Sequence, residues 1–187
     1  MRNRLVLLCY AFAGCFPLAG GVGAQSHLPL ATDVSVGFRT GHGGIYANRE
    51  GATLDLVLGY SLKEVPGGRF IGGLALGVQG AIASDLSCLV LPDGGCAPDF
   101  PTFLSAGALL GVQRELWNGV AVRVLAGPAY YQPLDAAGAP GLLGSLDVTS
   151  PPWQQVSLMA TLRKSLVSGL YGDALAITSL SLGFRFQ

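Results

Sequence analysis

Charge is scarce in this chain of 187 residues: only 12% are Asp, Glu, Lys or Arg, against about 25% in a typical soluble protein. The 11 basic and 11 acidic residues balance, which argues against a nucleic-acid-binding protein. No run of roughly 18 apolar residues follows residue 30, so no membrane-spanning helix is predicted there. Because 50% of the residues are hydrophobic, the composition also excludes a disordered chain.

The first 24 residues have the three parts of a secretory signal peptide. Arg2 and Arg4 precede an apolar stretch at 5–16, and small residues lead to Ala24. We expect cleavage after Ala24, so that 1–24 is the signal peptide and 25–187 the mature domain. Two alternatives stay open: an uncleaved N-terminal membrane anchor, and a lipoprotein signal at 12–15 that ends in Cys15.

Signal cleavage would leave Cys88 and Cys96 as the cysteines of the mature chain. They flank a short segment with the turn sequence Pro-Asp-Gly-Gly at 92–95, which brings its ends together readily. Two cysteines in an exported chain favour a disulfide. A metal site needs more ligands, and no His lies nearby. We therefore predict a structural disulfide that closes this loop, and no metal.

Beyond residue 30 the hydrophobic pattern is alternation, which is typical of half-buried strands. Val122 and Val124, for example, alternate with Arg123 and Leu125. The segments that alternate are 33–39, 53–62, 73–79, 104–113, 120–127, 142–149, 156–163 and 179–186. The pattern at 142–149, the sixth strand, is the weakest. Bacterial membrane barrels of this type have an even number of antiparallel strands, so the sequence predicts an eight-stranded, all-β, up-and-down barrel.

The predicted connections alternate between short and long. Short turns lie at 63–68, 115–118 and 150–153, and longer connections lie at 40–51, 83–101, 132–140 and 165–175. This matches membrane barrels with tight periplasmic turns and longer outer loops. Trp117 and Trp153 fall in short turns, whereas Tyr130 and Tyr131 lie near the opposite end. We interpret these two groups as aromatic girdles at the membrane interfaces.

One face of the strands is small and polar, and it carries charges of both signs. These charges are Asp33, Asp55 and Asp147 with Arg39, Arg123, Arg163 and Arg185. A face directed into water would carry Lys and Glu, yet the chain has only Lys63 and Lys164, and neither is on this face. We therefore predict an interior charge network, with lipid around the Leu and Val face. A soluble lipocalin-like barrel that binds a ligand in an apolar interior stays open as an alternative.

The last strand, Ser-Leu-Ser-Leu-Gly-Phe-Arg-Phe at 179–186, resembles the C-terminal signal that the barrel-insertion machinery reads. Phe184 and Phe186 would carry that signal, although Gln187 follows where an aromatic residue usually ends the chain. From Thr32 to Gln187 the chain resembles the small eight-stranded outer-membrane β-barrels of the OmpA/OmpX type. The resemblance implies a transmembrane barrel in the bacterial outer membrane, with outer-membrane lipid around it and the insertion machinery as its partner during biogenesis. We expect a monomer.

Catalysis is the alternative function, because some barrels of this size modify lipid A by acyl transfer or deacylation. His42 in the first outer loop could act with Ser84 and Asp85. A His beside several glycines is a poorly preorganised base, so we predict no enzyme and no cofactor. An open pore is not expected either, since side chains fill the bore of eight strands.

The predicted outer loops are acidic. They carry Glu50, Asp85, Asp93, Asp99, Asp135 and Asp173 against Arg49. Such loops are often simply solvated, but they could also bridge to surface lipid through divalent cations or contact a basic partner. A disulfide-closed loop lowers the entropic cost of binding. We therefore expect a structural or surface-interaction role, with any surface ligand at the outer loops.

Overall fold

The chain is folded as antiparallel β-structure in every long segment of the computed structural model, which describes residues 30–43, 50–80, 88–90, 96–98, 102–134, 136–170 and 173–187. The strands are β1 Leu30–His42, β2 Glu50–Val65, β3 Gly68–Gly80, β4 Cys88–Val90, β5 Cys96–Pro98, β6 Phe103–Glu115, β7 Ala121–Pro133, β8 Ala139–Thr149, β9 Val156–Leu170 and β10 Asp173–Phe186. Among these residues, no helix is long and apolar enough to cross a membrane. The predicted signal peptide lies outside the described residues.

Eight of the strands form a closed barrel in the order β1-β10-β9-β8-β7-β6-β3-β2. The first and last strands close it in antiparallel register, with Val34 opposite Phe184 and Val36 opposite Leu182. The predicted eight-stranded up-and-down barrel is therefore confirmed, and the weakly patterned segment 142–149 lies within β8. β4 and β5 form a separate two-stranded sheet.

The strands extend further at one end than the alternation indicated. The predicted long connection 165–175 is wrong, because β9 continues to Leu170 and β10 begins at Asp173. The connection 132–140 is also shortened, since β7 ends at Pro133 and β8 begins at Ala139. Gly and Asp in both segments, with Pro in 132–140 and Ser in 165–175, made them resemble loops. Strand preference depends on cross-strand neighbours, and the closed barrel supplies a neighbour on both sides.

The two ends of the barrel differ, and we name them by their connections. The turn end carries the tight connections at 66–67, 116–120 and 150–155, together with the start of β1 and the end of β10. Positive φ angles at Gly67, Asn118, Gly119 and Gln154 make these turns tight. The loop end carries the other connections, including β4 and β5.

The barrel is apolar outside and partly polar inside, which inverts the arrangement of a soluble protein. Phe38, Leu180 and Leu182 are 72%, 63% and 68% exposed on the outer wall. On the same strands, Arg39 and Arg185 point inward and are each 1% exposed. Because successive side chains of a strand point to opposite faces, alternation alone produces this division.

Glycine allows close approach of neighbouring strands at several points of the wall. At Gly111 on β6, a Cβ atom would overlap the carbonyl oxygen of Val124 on β7. At Gly144 on β8, the nearest atom to such a Cβ is the Leu125 carbonyl oxygen, 3.9 Å away. The two glycines therefore differ in whether the backbone must move to admit a side chain.

We predict that Gly111→Ala destabilises the barrel by about 1–3 kcal/mol, because backbone atoms have to shift. Gly144→Ala is the control and should change stability by about 0.5 kcal/mol or less. Urea unfolding of the protein in phospholipid vesicles measures both values. Equal stability of the two variants would contradict the close approach at Gly111.

Candidate functional site

The interior of the barrel contains all the charged residues of the predicted network. The set is Asp33, Arg39, Asp55, Arg123, Asp147, Arg163 and Arg185, each at most 5% exposed. Isolated charges would be very costly in such a place, so each needs compensation by partners of opposite charge and by hydrogen bonds. The side chains divide into two groups at different heights.

The turn-end network consists of Asp33, Arg123, Asp147 and Arg185. Arg185 donates from Nε to Asp33 Oδ1 at 2.7 Å and from Nη2 to Asp33 Oδ2 at 3.2 Å. Arg123 bridges the two carboxylates, since it donates from Nη2 to Asp33 and from Nε to Asp147 Oδ2 at 2.7 Å. Two arginines thus neutralise two aspartates. Gln113 also accepts from Arg185 Nη1 at 3.4 Å.

The loop-end network consists of Arg39, Asp55 and Arg163. Arg163 Nη1 lies 2.6 Å from Asp55 Oδ1, and Thr53 donates to the other carboxylate oxygen at 3.0 Å. Arg39 donates from Nη1 to Gln79 Oε1 at 2.9 Å. Its guanidinium carbon also lies 4.7 Å from the centroid of the Phe103 ring, which is cation–π geometry.

An apolar cluster fills much of the remaining interior. Its members are Val57, Ile71, Ala75, Phe103, Leu109, Leu125, Ala129, Tyr131, Ala139, Leu143, Val167, Leu175 and Ile177. Phe103 and Tyr131 are both 0% exposed and pack edge to face, with centroids 5.9 Å apart. The prediction that Tyr131 belongs to an outer aromatic girdle is therefore wrong, since odd-numbered residues of β7 point inward.

Phe103 and Leu109 were not identified from the sequence as interior residues. Their place in the alternation could have identified them, because both have odd numbers, as do Ser105, Gly107 and Gly111 on the inward face of β6. Bulky apolar residues look misplaced on a face that is otherwise small and polar. They fit because the small residues around them leave room in the bore.

A row of polar side chains crosses the outer wall near the loop end. On four adjacent strands, Lys164, Thr178, Thr40 and Glu50 are directly opposite one another in register. The next row of outward-facing residues toward the turn end is apolar and consists of Leu162, Leu180, Phe38 and Ala52. On β9 the outward Leu166, which is 48% exposed, lies beyond the polar row, so that row does not end the apolar wall there. Below it, the wall reaches Phe184 and Phe186, which are 50% and 38% exposed.

Aromatic side chains mark the turn end of the wall. Trp117 and Trp153 are 68% and 81% exposed in the tight turns. Phe186 lies at the end of β10, opposite Thr32 of β1. Trp and Tyr are enriched where a membrane meets water. The insertion role of Phe184 and Phe186 stays a prediction.

The alternative catalytic residues are not brought together within the described part of the chain. His42 is the last residue of β1, is exposed, and is paired with Ala176. Ser84 and Asp85 lie outside the described residues. No group of His, Cys, Asp and Glu suited to a metal ion occurs among the residues that the structure describes.

The cysteines of the predicted disulfide lie on β4 and β5. The register places Cys88 opposite Pro98 and Cys96 opposite Val90, so the cysteines lie on paired strands, two positions apart in register. The disulfide stays a prediction.

We predict that Asp33→Ala lowers the free energy of unfolding by about 3–5 kcal/mol, because two buried arginines lose a shared carboxylate. Urea unfolding in phospholipid vesicles, followed by the fluorescence of Trp117 and Trp153, measures the change. The control is Glu115→Ala, which breaks the exposed pair with Arg69 at 3.4 Å and should cost about 1 kcal/mol or less. A similar small effect for both variants would contradict the network's role.

Comparison with known proteins shows a likeness in fold without a likeness in sequence. No protein-family model matches the chain, and no curated protein matches it significantly. The crystal structure of Neisserial surface protein A is similar with a TM-score of 0.66 and 12% identity, over 84% of this chain and 96% of that one. Ail, the attachment invasion locus protein of Yersinia pestis, gives a TM-score of 0.46 and 14% identity, over 83% and 98% of the two chains.

The wall and the interior together decide the environment of this barrel. A continuous apolar outer surface with buried ion pairs inside is stable in lipid and unstable in water. The shared fold with the Neisserial surface protein agrees with that assignment. The chain has the fold of the small eight-stranded outer-membrane β-barrels, with an apolar wall that suits a membrane.

Proposed function

We propose that the protein is a non-catalytic barrel that anchors its loop end at the cell surface for contact with a partner. The observation that carries this proposal is the filled interior. Two charge networks and the apolar cluster occupy the bore of the described residues, so neither solute passage nor an internal ligand site is favoured. The Neisserial protein of the same fold is itself named a surface protein, which supports a role at the cell surface.

A basic partner fits the acidic charge of the loop end. The sequence places six acidic residues in or beside the outer connections against Arg49, and the structure shows Glu50 exposed at the rim. Opposite charge steers association and fixes orientation. The hairpin of β4 and β5 forms its own sheet within the longest outer connection, and its paired strands supply a frame for recognition.

We predict that the protein in nanodiscs of neutral lipid binds immobilised polylysine and does not bind polyaspartate. The double variant Asp93→Asn, Asp99→Asn should weaken polylysine binding about three- to tenfold at low salt, with a smaller effect at about 0.15 M salt because of screening. The control is Glu64→Gln, Glu115→Gln, which removes the same charge at the turn end. Equal weakening by both variants would contradict recognition at the loop end.

The proposed disulfide stabilises the hairpin for this role. We predict that alkylation and mass measurement of freshly purified, unreduced protein finds no free thiol at Cys88 or Cys96. Reduction should then expose both thiols and loosen the loop, since the covalent link restricts its unfolded ensemble. Full labelling before reduction would refute the disulfide.

Absence of catalysis is also part of the proposal. We predict that expression of the protein in an outer membrane leaves the mass spectrum of lipid A unchanged, and that His42→Ala gives the same spectrum. Loss or gain of an acyl chain with the parent protein, abolished by His42→Ala, would establish the enzymatic alternative with Ser84 and Asp85 instead.

A further inference from the structure

A furrow runs along the outer wall over β6, where two alanines lie between larger side chains. Ala106 is directly opposite Leu76 on β3 and Tyr130 on β7, and Ala108 is opposite Leu74 on β3. Leu74 and Leu76 are 56% and 43% exposed, so they stand above the alanines as one bank. The resulting β6 furrow has a volume of about 490 Å³.

The opposite bank of the furrow is formed by β7 and contains a proline. Pairing between β6 and β7 stops at Gly107 opposite Ala129 and resumes at Leu110 opposite Ala126. Pro128 lies in this interval and has no N–H to contribute to a ladder. The exposed Pro128 ring and the Tyr130 ring, which is 50% exposed, line that bank.

The furrow lies in the loop-end half of the wall. Above it, the outward position of β7 is Gln132, whose amide donates to the carbonyl oxygens of Pro133 and Ala136 at 2.9 and 3.0 Å. The Tyr130 hydroxyl lies against Gly138, where a Cβ atom would overlap it. A phenol at this height matches the level at which membrane Tyr residues meet lipid headgroups. The furrow is therefore apolar along its length, and polar groups lie above it on the β7 bank.

A second copy of the chain fits the furrow poorly. A two-fold contact through this face would set one furrow against the other and leave both unfilled. The most exposed ridge of the wall, formed by Phe38, Leu180 and Leu182, lies on β1 and β10. β10 is four places from β6 around the ring, so ridge-in-furrow contact would build an open head-to-tail chain. A flexible hydrocarbon chain can fill the furrow, and its binding does not build an open chain of protein copies.

We propose that the β6 furrow holds one acyl chain of an outer-leaflet lipid, with the polar linkage of that lipid beside Tyr130. The wall faces hydrocarbon, and the furrow contacts a chain on its floor and both banks, whereas the rest of the wall contacts chains on one side. Packing contacts of this kind drive association within a membrane, where apolar burial by itself gains nothing. The proposed role of the outer loops is independent of this site.

The first experiment fills the furrow. The double variant Ala106→Leu, Ala108→Leu gives β6 the side chains of its neighbours, and native mass spectrometry after detergent exchange counts retained lipid A. The parent protein should retain one lipid A, and the double variant should retain about tenfold less. The control is Ala160→Leu on β9, which enlarges another outward alanine in the turn-end half and should leave retention unchanged. Equal retention by all three proteins would overturn the proposal.

A second experiment uses the unmodified protein, so it does not depend on the folding of a variant. Lipid A with a photoreactive group midway along an acyl chain is reconstituted with the protein and irradiated, and the labelled peptides are mapped. The proposal requires labelling concentrated at 104–110 and 126–130. Labelling spread evenly around the wall, labelling by a phospholipid probe alone, or protein–protein crosslinks through this face would each overturn it.

Discussion

Every backbone N–H and C=O group inside a hydrocarbon layer has to be paired by the protein itself, because lipid offers no partner. Closure of β1 against β10 serves this requirement, because it leaves the sheet without a free edge. The rest of the structure follows from it. A closed sheet has one inside and one outside, so each strand must place apolar side chains outward, and the residues between them are enclosed in a bore of fixed width.

That narrow bore explains the two charge networks. Asp33 lies on the first strand and meets arginines from β7 and β10, so three separate parts of the chain are joined by one carboxylate. Near the loop end, the ion pair between Asp55 and Arg163 joins β2 and β9 in the same way. Such pairs favour one register over its neighbours, since a shift by one residue would turn the charges toward lipid. With the interior filled in this way, the loop end and the outer wall are the surfaces left for function.

Alternation in the sequence predicted seven strands, and the even strand number of membrane barrels supported the eighth at 142–149. Alternation also placed Arg123 and Asp147 on the same face, because side-chain direction depends only on local phase. It could not predict that Arg123 would meet Asp33, which is 90 positions away, since register between distant strands depends on the whole barrel. Tyr131 was placed in the outer girdle because its chemistry suits an interface, yet its phase directs it inward. The β6 furrow could not be predicted from the sequence either, since it arises only when Ala106 lies beside the side chains of two other strands.

The central claim is that the apolar face of this barrel contacts lipid and the charged face is enclosed. Gel mobility of the protein from the outer-membrane fraction, compared before and after boiling, tests it most directly. A closed barrel without free edges resists detergent until heated, so we predict faster migration of the unboiled sample and a shift on boiling. Identical migration, with the mature protein in the soluble fraction without detergent, would contradict the claim and would place the apolar face inside.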